Sequence, residues 1–159
     1  MEQLPGIHIR PADINDKDFI SSLVPRLIAF GPPSWREGMQ MTEVDTAILI
    51  GKVTSQPEGT AIFIAHDDDN VQLGFVHVHD GKDFYNHDKH GHISDLIVAA
   101  EGQGKGIGRL LLNKAEEWAR SQGYRWLTLS VFAQNVRARE IYERAGYGPD
   151  IMKYVKELP

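Results

Sequence analysis

The sequence has 159 residues, of which 42% are hydrophobic and 25% are charged, as in an ordinary globular protein. The absence of cysteine excludes disulfides, a cysteine nucleophile and thiolate metal sites, and the net charge of −5 argues against binding nucleic acid by phosphate neutralisation. No apolar run is long enough to span a membrane, and the start of the chain, with Glu2, does not resemble a signal peptide. We therefore expect a single domain over residues 1–159, in the cytoplasm and not at a membrane.

Alternation of apolar and polar residues and helical periodicity predict ten elements, in the order β-α-α-β-β-β-α-β-α-β. The predicted strands cover residues 7–10, 60–65, 71–79, 92–98, 124–132 and 151–156, and the predicted helices cover residues 14–30, 34–54, 107–122 and 136–145. Residues 80–91, between the third and fourth strands, are predicted to form a polar loop.

Several residues predict where helices begin and end. Asp13 and Asn135 are residue types that cap helix N-termini, each just before a helical pattern. Pro25 falls inside the first helix and should kink or split it. Gly123 is expected to stop the third helix.

The second predicted helix has a candidate capping box at its start. Ser34 is followed by Glu37 three residues later, which is the spacing of that motif. Val44 and Ile48, one turn apart, are expected to supply the apolar side of this helix, with Met41 and Val53 as further candidates.

A turn with four glycines leads from the fourth predicted strand into the third predicted helix. Glycine allows close approach of a ligand to the backbone, and the first N–H groups of a helix can bind phosphate. The P-loop pattern fails because Lys105 is followed by Gly106 and not by a hydroxyl residue, and the G-x-G-x-x-G fingerprint fails as well. The pattern that does fit is Gln103-x-x-Gly106-x-Gly108.

This turn resembles the [QR]-x-x-G-x-[GA] pyrophosphate loop of the GNAT superfamily of N-acetyltransferases. A second motif, Asn135-x-x-Ala138-x-x-x-Tyr142-x-x-x-Gly146-Tyr147, is similar to that family's N-x-x-A-x-x-x-Y-x-x-x-G-[FY] signature. The order of elements also matches the family over nearly the whole chain. The resemblance implies the α/β (α+β) GNAT fold, with a mixed, mostly antiparallel sheet that is splayed at the acyl-CoA-binding strand and has helices on both faces.

The resemblance also implies that acetyl-CoA is the co-substrate. The implied cofactor-binding residues are Leu96, Ile97, Val98, Gln103, Gly104, Lys105, Gly106, Ile107, Gly108, Arg109, Asn135 and Tyr142. A backbone N–H near Val98 is the implied oxyanion donor, beside a V-shaped cleft between the fourth and fifth strands. The two cations of this set are Lys105 and Arg109. The alternative to cofactor binding is that their side chains are simply solvated at the start of the helix.

Tyr142 and Asp95 are the implied catalytic residues. Tyr142 would protonate the leaving thiolate, although it could also be a core tyrosine because it lies on the apolar side of its helix. Asp95 stands where many family members carry a glutamate base, and it would act directly or through a water. Ser94 is an alternative base, and His92 is expected on the opposite face of the strand from Asp95 because three positions separate them.

Five histidines close together in the sequence allow a metal-site interpretation. They are His77, His79, His87, His90 and His92. The expected metalloprotease motif H-E-x-x-H is absent, and a polar surface loop or an acidic rim on the acceptor side explains them better. We expect no metal.

The acceptor side is implied to be formed by residues 31–36 and 80–91, with the aromatic residues Trp35, Phe84 and Tyr85. The leading functional prediction is acetyl transfer to a small-molecule primary amine. A protein or peptide acetyltransferase and a non-catalytic acyl-CoA sensor are the alternatives. A homodimer is compatible with the resemblance.

Overall fold

A computed structural model describes residues 3–159 and contains one five-stranded sheet. Its strands are β1 (Ile7–Pro11), β2 (Thr60–Asp67), β3 (Gln72–Lys82), β4 (Lys89–Val98) and β5 (Leu127–Leu129). They lie side by side in chain order, and all neighbours are antiparallel except β4 and β5, which are parallel. This is the mixed, mostly antiparallel sheet that the family resemblance implied.

Helices cover both faces of the sheet. They are α1 (Lys17–Leu23), α2 (Gly38–Ser55), α3 (Ile107–Ser121) and α4 (Val136–Arg144). Helices α1 and α2 pack on one face, and α3 together with side chains of α4 packs on the other. Among the helices of residues 3–159, none is both long and apolar enough to cross a membrane.

Successive side chains of β3 point to opposite faces of the sheet and pack into two separate hydrophobic cores. Val76 and Val78 point towards α3, where Leu111 is fully buried against them. Phe75 points to the other face and is buried with Leu49 of α2. Burial of such apolar side chains contributes roughly 1.5–3 kcal/mol each, so the two cores together hold the helices to the sheet.

The caps at the start of the chain confirm the prediction. The Asp13 carboxylate accepts a hydrogen bond from the Asn15 N–H at 2.8 Å, and the Asp16 carboxylate accepts one from the Asp13 N–H. Pro25 lies in a 3-10 segment, Val24–Ile28, which follows α1, so the first predicted helix is split there. Proline lacks an N–H donor, and this explains the change of helix type.

The predicted start of α2 is wrong. The helix begins at Gly38, and residues 33–36 form a turn in which the Arg36 N–H bonds the Pro33 carbonyl at 2.9 Å. Because this turn uses the residues around Ser34, no capping box forms. The predicted apolar side is wrong for Val44 and Ile48, which are about half exposed, and right for Val53, which is buried together with Leu49.

Other corrections concern residues 80–91 and the region after β5. Residues 80–91 are mostly hairpin, because β3 continues to Lys82 and β4 starts at Lys89. The strand predicted over 124–132 is limited to β5, and residues 151–156 form no strand. The last segment has apolar neighbours of both parities, such as Ile151 beside Met152, so neither face would be apolar throughout, and β5 offers an edge of only three residues.

Candidate active site

A β-bulge in β4 determines which side chains share a face. His77 pairs with Asp95 and Val78 pairs with Ile93, so Ser94 is an extra residue without a partner in β3. The bulge shifts the alternation by one position. His92 and Asp95 therefore project from the same face, and the expectation of opposite faces is wrong.

The sheet opens directly after this bulge. The parallel pairing of β4 with β5 covers only residues 91–93 and 127–129. Among the described residues, 94–98 have no strand partner on that side, which leaves a V-shaped opening between the two strands. The Val98 carbonyl instead accepts a hydrogen bond from Nε of Arg26 at 2.9 Å, a contact that sequence reasoning missed.

The glycine turn presents backbone donors at the open end of the cleft. Gly104 and Gly106 have φ values of 72° and 79°, a region that side chains other than glycine rarely adopt. Their N–H groups have no hydrogen-bond partner in the part of the chain described, and a Cβ at Gly104 would meet nothing within 4 Å. Helix α3 begins at Ile107, so its first-turn N–H groups add to these donors. An anionic phosphate fits such an arrangement.

Basic side chains surround this turn. Lys105 and Arg109 are exposed at the start of α3. Arg137 of α4 donates a hydrogen bond to Oε1 of Gln103 at 3.5 Å, which brings a third cation to the turn. Sequence reasoning missed Arg137, although its place two residues after Asn135 in the second motif was a usable signal.

Two residues of the second motif, Asn135 and Tyr142, lie at the start of α4 and within it. Asn135 caps the helix as predicted, because its Oδ1 accepts a hydrogen bond from the Ala138 N–H at 3.2 Å. Tyr142 is partly buried beside Tyr147, with ring centroids 6.2 Å apart. Burial raises the pKa of Tyr142, so its hydroxyl keeps its proton at neutral pH and can act as a donor.

Asp95 is hydrogen-bonded to a buried histidine. Its Oδ2 lies 3.0 Å from Nδ1 of His77, and the side chains are 10% and 1% exposed. An ionised carboxylate only accepts hydrogen bonds, so Nδ1 of His77 carries the hydrogen. The other ring nitrogen, Nε2, is buried and has no partner among residues 3–159.

Two more histidines continue from His77 on the same face. Their Nδ1 atoms lie 2.7 Å from an oxygen, the Asp80 carbonyl for His79 and the Thr128 hydroxyl for His92. The His79 ring is 5.8 Å from His77 and 5.2 Å from His92. Burial and the neighbouring histidines lower the pKa of His92, which favours its neutral form. Within the described residues, no group of three or more histidine, aspartate or glutamate side chains could hold a metal ion.

The three aromatic residues expected on the acceptor side lie in different places. Trp35 stacks on the Arg36 guanidinium at 4.2 Å, and this group is also 5.7 Å from the ring of Phe132, in the segment after β5. Phe84 and Tyr85 pack edge to face with ring centroids 5.2 Å apart at the tip of the β3–β4 hairpin and are more than 80% exposed. Asp95 is six residues along β4 from Lys89, the end of the strand nearest this tip, or roughly 20 Å. The fold thus brings Trp35 towards the cleft and leaves the other two apart from Asp95.

Comparisons with known proteins agree on a single family. The family model described as the Acetyltransferase (GNAT) family matches residues 26–147, which is more than half of the chain. The uncharacterized N-acetyltransferase YobR of Bacillus subtilis is 31% identical over 94 residues, covering 58% of this chain and 35% of that protein. The streptothricin acetyltransferase of Streptomyces lavendulae is 42% identical over 55 residues, covering 35% of this chain and 29% of that protein.

The fold agrees with these relationships. The ribosomal-protein-alanine N-acetyltransferase of Brucella melitensis superimposes with a TM-score of 0.67 at 17% identity, over 96% of this chain and 99% of that one. The chain spans only about a third of the length of YobR and of the streptothricin acetyltransferase. The matched family model, the glycine turn at the start of α3 and the sheet that opens beyond the bulge of β4 agree, and the chain belongs to the GNAT family of acetyltransferases.

Proposed function

We propose that this chain transfers an acetyl group from acetyl-CoA to a primary amine of a small molecule, by direct attack of the amine in a ternary complex. The proposal rests on two features that occur together. The N–H groups of Gly104 and Gly106 have no hydrogen-bond partner in the described chain, and the sheet is open between β4 and β5. The first feature suits a pyrophosphate and the second suits an extended pantetheine arm.

Each proposed contact to acetyl-CoA has a counterpart in the geometry. The turn from Gln103 to Gly108 would bind the pyrophosphate through its N–H groups, with Lys105, Arg109 and Arg137 nearby as cations. The backbone of residues 96–98 would pair with the pantetheine arm, since no strand occupies that edge. A backbone N–H near Val98 would stabilise the tetrahedral oxyanion.

The proposed chemistry moves two protons. The amine nitrogen attacks the thioester carbonyl, its proton passes to Asp95 directly or through a water, and the C–S bond then breaks. Tyr142 gives its hydroxyl proton to the departing thiolate. Burial raises the pKa of Tyr142 above that of a thiol, so this donation is uphill, as general acid catalysis allows.

The experiment for this proposal is calorimetric titration of the folded protein with acetyl-CoA, with 3′-dephospho-CoA and ATP as comparison ligands. We expect acetyl-CoA to bind with a micromolar dissociation constant. A screen of amines, monitored by release of free thiol, then identifies acceptors. Failure of the folded protein to bind acetyl-CoA would refute the proposal.

One observation favours a second candidate, acetylation of a protein or peptide N-terminus. The fold is shared with the ribosomal-protein-alanine N-acetyltransferase of Brucella melitensis, although identity is only 17%. Including short peptides in the thiol-release screen separates the two candidates. A peptide substrate preferred over all small amines by at least tenfold in kcat/KM would favour the second.

A further inference from the structure

Asp45 is a carboxylate on the inner side of α2, the side that otherwise packs apolar residues against the sheet. Asp45, Leu49 and Val53 follow each other at intervals of four residues, which places them along one stripe of the helix. Leu49 and Val53 are buried against Phe75 and Ile97 of the sheet. Asp45 is therefore directed into the same space between α2 and the sheet, one turn earlier.

On the sheet side, this space is bounded by the Asp95–His77 pair. Asp95 precedes Ile97 by two residues in β4, and His77 follows Phe75 by two in β3, so both project from the face that α2 covers. His77 is 1% exposed, and its Nε2 atom has no hydrogen-bond partner among residues 3–159. The space thus contains a buried polar atom whose bonding is incomplete.

The two carboxylates act on each other. Partial burial and the negative charge of Asp95 raise the pKa of Asp45. Asp45 has no hydrogen-bond or ion-pair partner in the described part of the chain, in contrast to Asp16, which is paired with Arg10 at 2.7 Å. The other titratable groups on this face of β3 and β4 are His79, His90 and His92, and no lysine or arginine of the two strands projects from it. A ligand cation is the missing partner.

We propose that Asp45 is a specificity-determining residue, which together with Asp95 binds the ammonium group of a cationic acceptor between α2 and the bulge of β4. This inference rests on the proposed acetyltransferase function and adds a substrate class to it, amines that are cationic at neutral pH. The ammonium would reach Asp95, the proposed base, with Asp45 holding it by charge. No other described carboxylate of α2 lies on the inner stripe, because Glu43 is exposed on the outer side.

Glu43 supplies a matched control for the test. Asp45→Asn and Glu43→Gln each remove one negative charge from the same helix, only two residues apart. We would measure acetylation kinetics with n-butylamine and 1,4-diaminobutane, and acetyl-CoA affinity by calorimetry. The bound ammonium would first give one proton to Asp95, so that the neutral amine attacks, and the proton released as the amide forms would replace the one that Tyr142 gives to the thiolate. For Asp45→Asn we expect the KM for the amine to rise about 10- to 100-fold with acetyl-CoA affinity unchanged, the usual cost of losing one charge-assisted contact. For Glu43→Gln we expect a KM within about twofold of the wild type.

A second readout does not depend on turnover. The thermal midpoint is measured with 1,4-diaminobutane against sodium chloride at equal ionic strength. We expect the diamine to raise the midpoint of the wild type and of Glu43→Gln but not of Asp45→Asn. An equal rise in all three proteins, or none in the wild type, would overturn the inference.

The two proposals fail separately. If the wild type binds acetyl-CoA and Asp45→Asn leaves the amine KM unchanged, Asp45 has no role in acceptor binding and the proposed function stands. If the folded wild type does not bind acetyl-CoA, the proposed function fails, and the diamine midpoints alone decide whether Asp45 binds a cation.

Discussion

His77 and Asp95, eighteen residues apart in the sequence, are joined by a hydrogen bond of 3.0 Å between Nδ1 and Oδ2, and both side chains are almost inaccessible to solvent. The pair lies where β4 bulges and begins to separate from β5. The bond holds the proposed base in position and sets the tautomer of the histidine, so it should matter for both stability and activity.

The energetic coupling of His77 with Asp95 can be measured by a double-mutant cycle. We expect His77→Phe and Asp95→Asn to be coupled by about 1.5–3 kcal/mol in the free energy of unfolding, as for a hydrogen bond to a charged group away from water. The measurement is urea denaturation of the four proteins. The contact of His8 with Asp68 is the control, because it is short, 2.6 Å, but its side chains are 54% and 73% exposed. There the coupling should stay within about 0–1 kcal/mol. Equal coupling in the two pairs would contradict the argument.

Tyr142 and Tyr147 allow the proposed acid to be separated from a packing role. We expect Tyr142→Phe to lower kcat by about 10²-fold while the affinity for acetyl-CoA changes little, because only the proton donor is lost. Tyr147→Phe is the control: the Tyr147 hydroxyl is buried beside the Glu116 carboxylate and has no proposed catalytic role, so its removal should change stability by about 1 kcal/mol at most. Kinetics and calorimetry on both variants provide the check. An affinity loss as large as the loss of kcat would assign Tyr142 a structural role.

The glycine turn is tested by two alanine substitutions. Gly104 and Gly123 have φ values of 72° and 79°, and a Cβ at either position would meet nothing within 4 Å. Gly104→Ala and Gly123→Ala should therefore lose similar stability, about 1–2 kcal/mol, from the left-handed backbone alone. Only Gly104→Ala is expected to weaken acetyl-CoA binding, because its methyl group enters the proposed phosphate site. Unchanged affinity in Gly104→Ala would exclude close backbone contact there.

The stability of the protein should depend on pH through His92. Burial and the neighbouring histidines lower its pKa in the folded state, so the unfolded chain binds a proton at higher pH than the folded one does. The unfolded state then holds more protons as the pH falls through about 6.5, the ordinary pKa of histidine. Stability should therefore decrease as the pH is lowered from 7 towards 5. The measurement is the urea midpoint of the wild type and of His92→Gln as a function of pH. We expect the midpoint of the variant to depend less on pH. Parallel pH profiles for the two proteins would contradict the role of His92.

Much of the local structure could be predicted from short sequence patterns. Asp13 and Asn135 cap helices, and the glycine turn stands between β4 and α3. These features depend on the backbone preferences of a few adjacent residues. The failures also have local causes. The turn at residues 33–36 replaced the capping box at Ser34, and the mixed parity of residues 151–156 gave no strand.

The arrangement of the candidate site was less predictable. Strand alternation predicted His92 and Asp95 on opposite faces of β4. The sequence does not indicate the β-bulge that leaves Ser94 without a partner in β3. The inner side of α2 was assigned to Val44 and Ile48, and this concealed Asp45. Both errors concern which face a residue occupies, and that is determined by register and packing.

The sequence by itself determined the order of the elements from β1 to α4, the caps at Asp13 and Asn135, the glycine turn and the family, since each is encoded within one segment or one motif. Tertiary structure alone decided that His77 bonds Asp95, that Arg137 reaches Gln103 and that Asp45 shares the inner stripe of α2 with the buried Leu49 and Val53. The physical reason is that a hydrogen bond between distant segments depends on strand register and helix rotation, which the whole packed core determines.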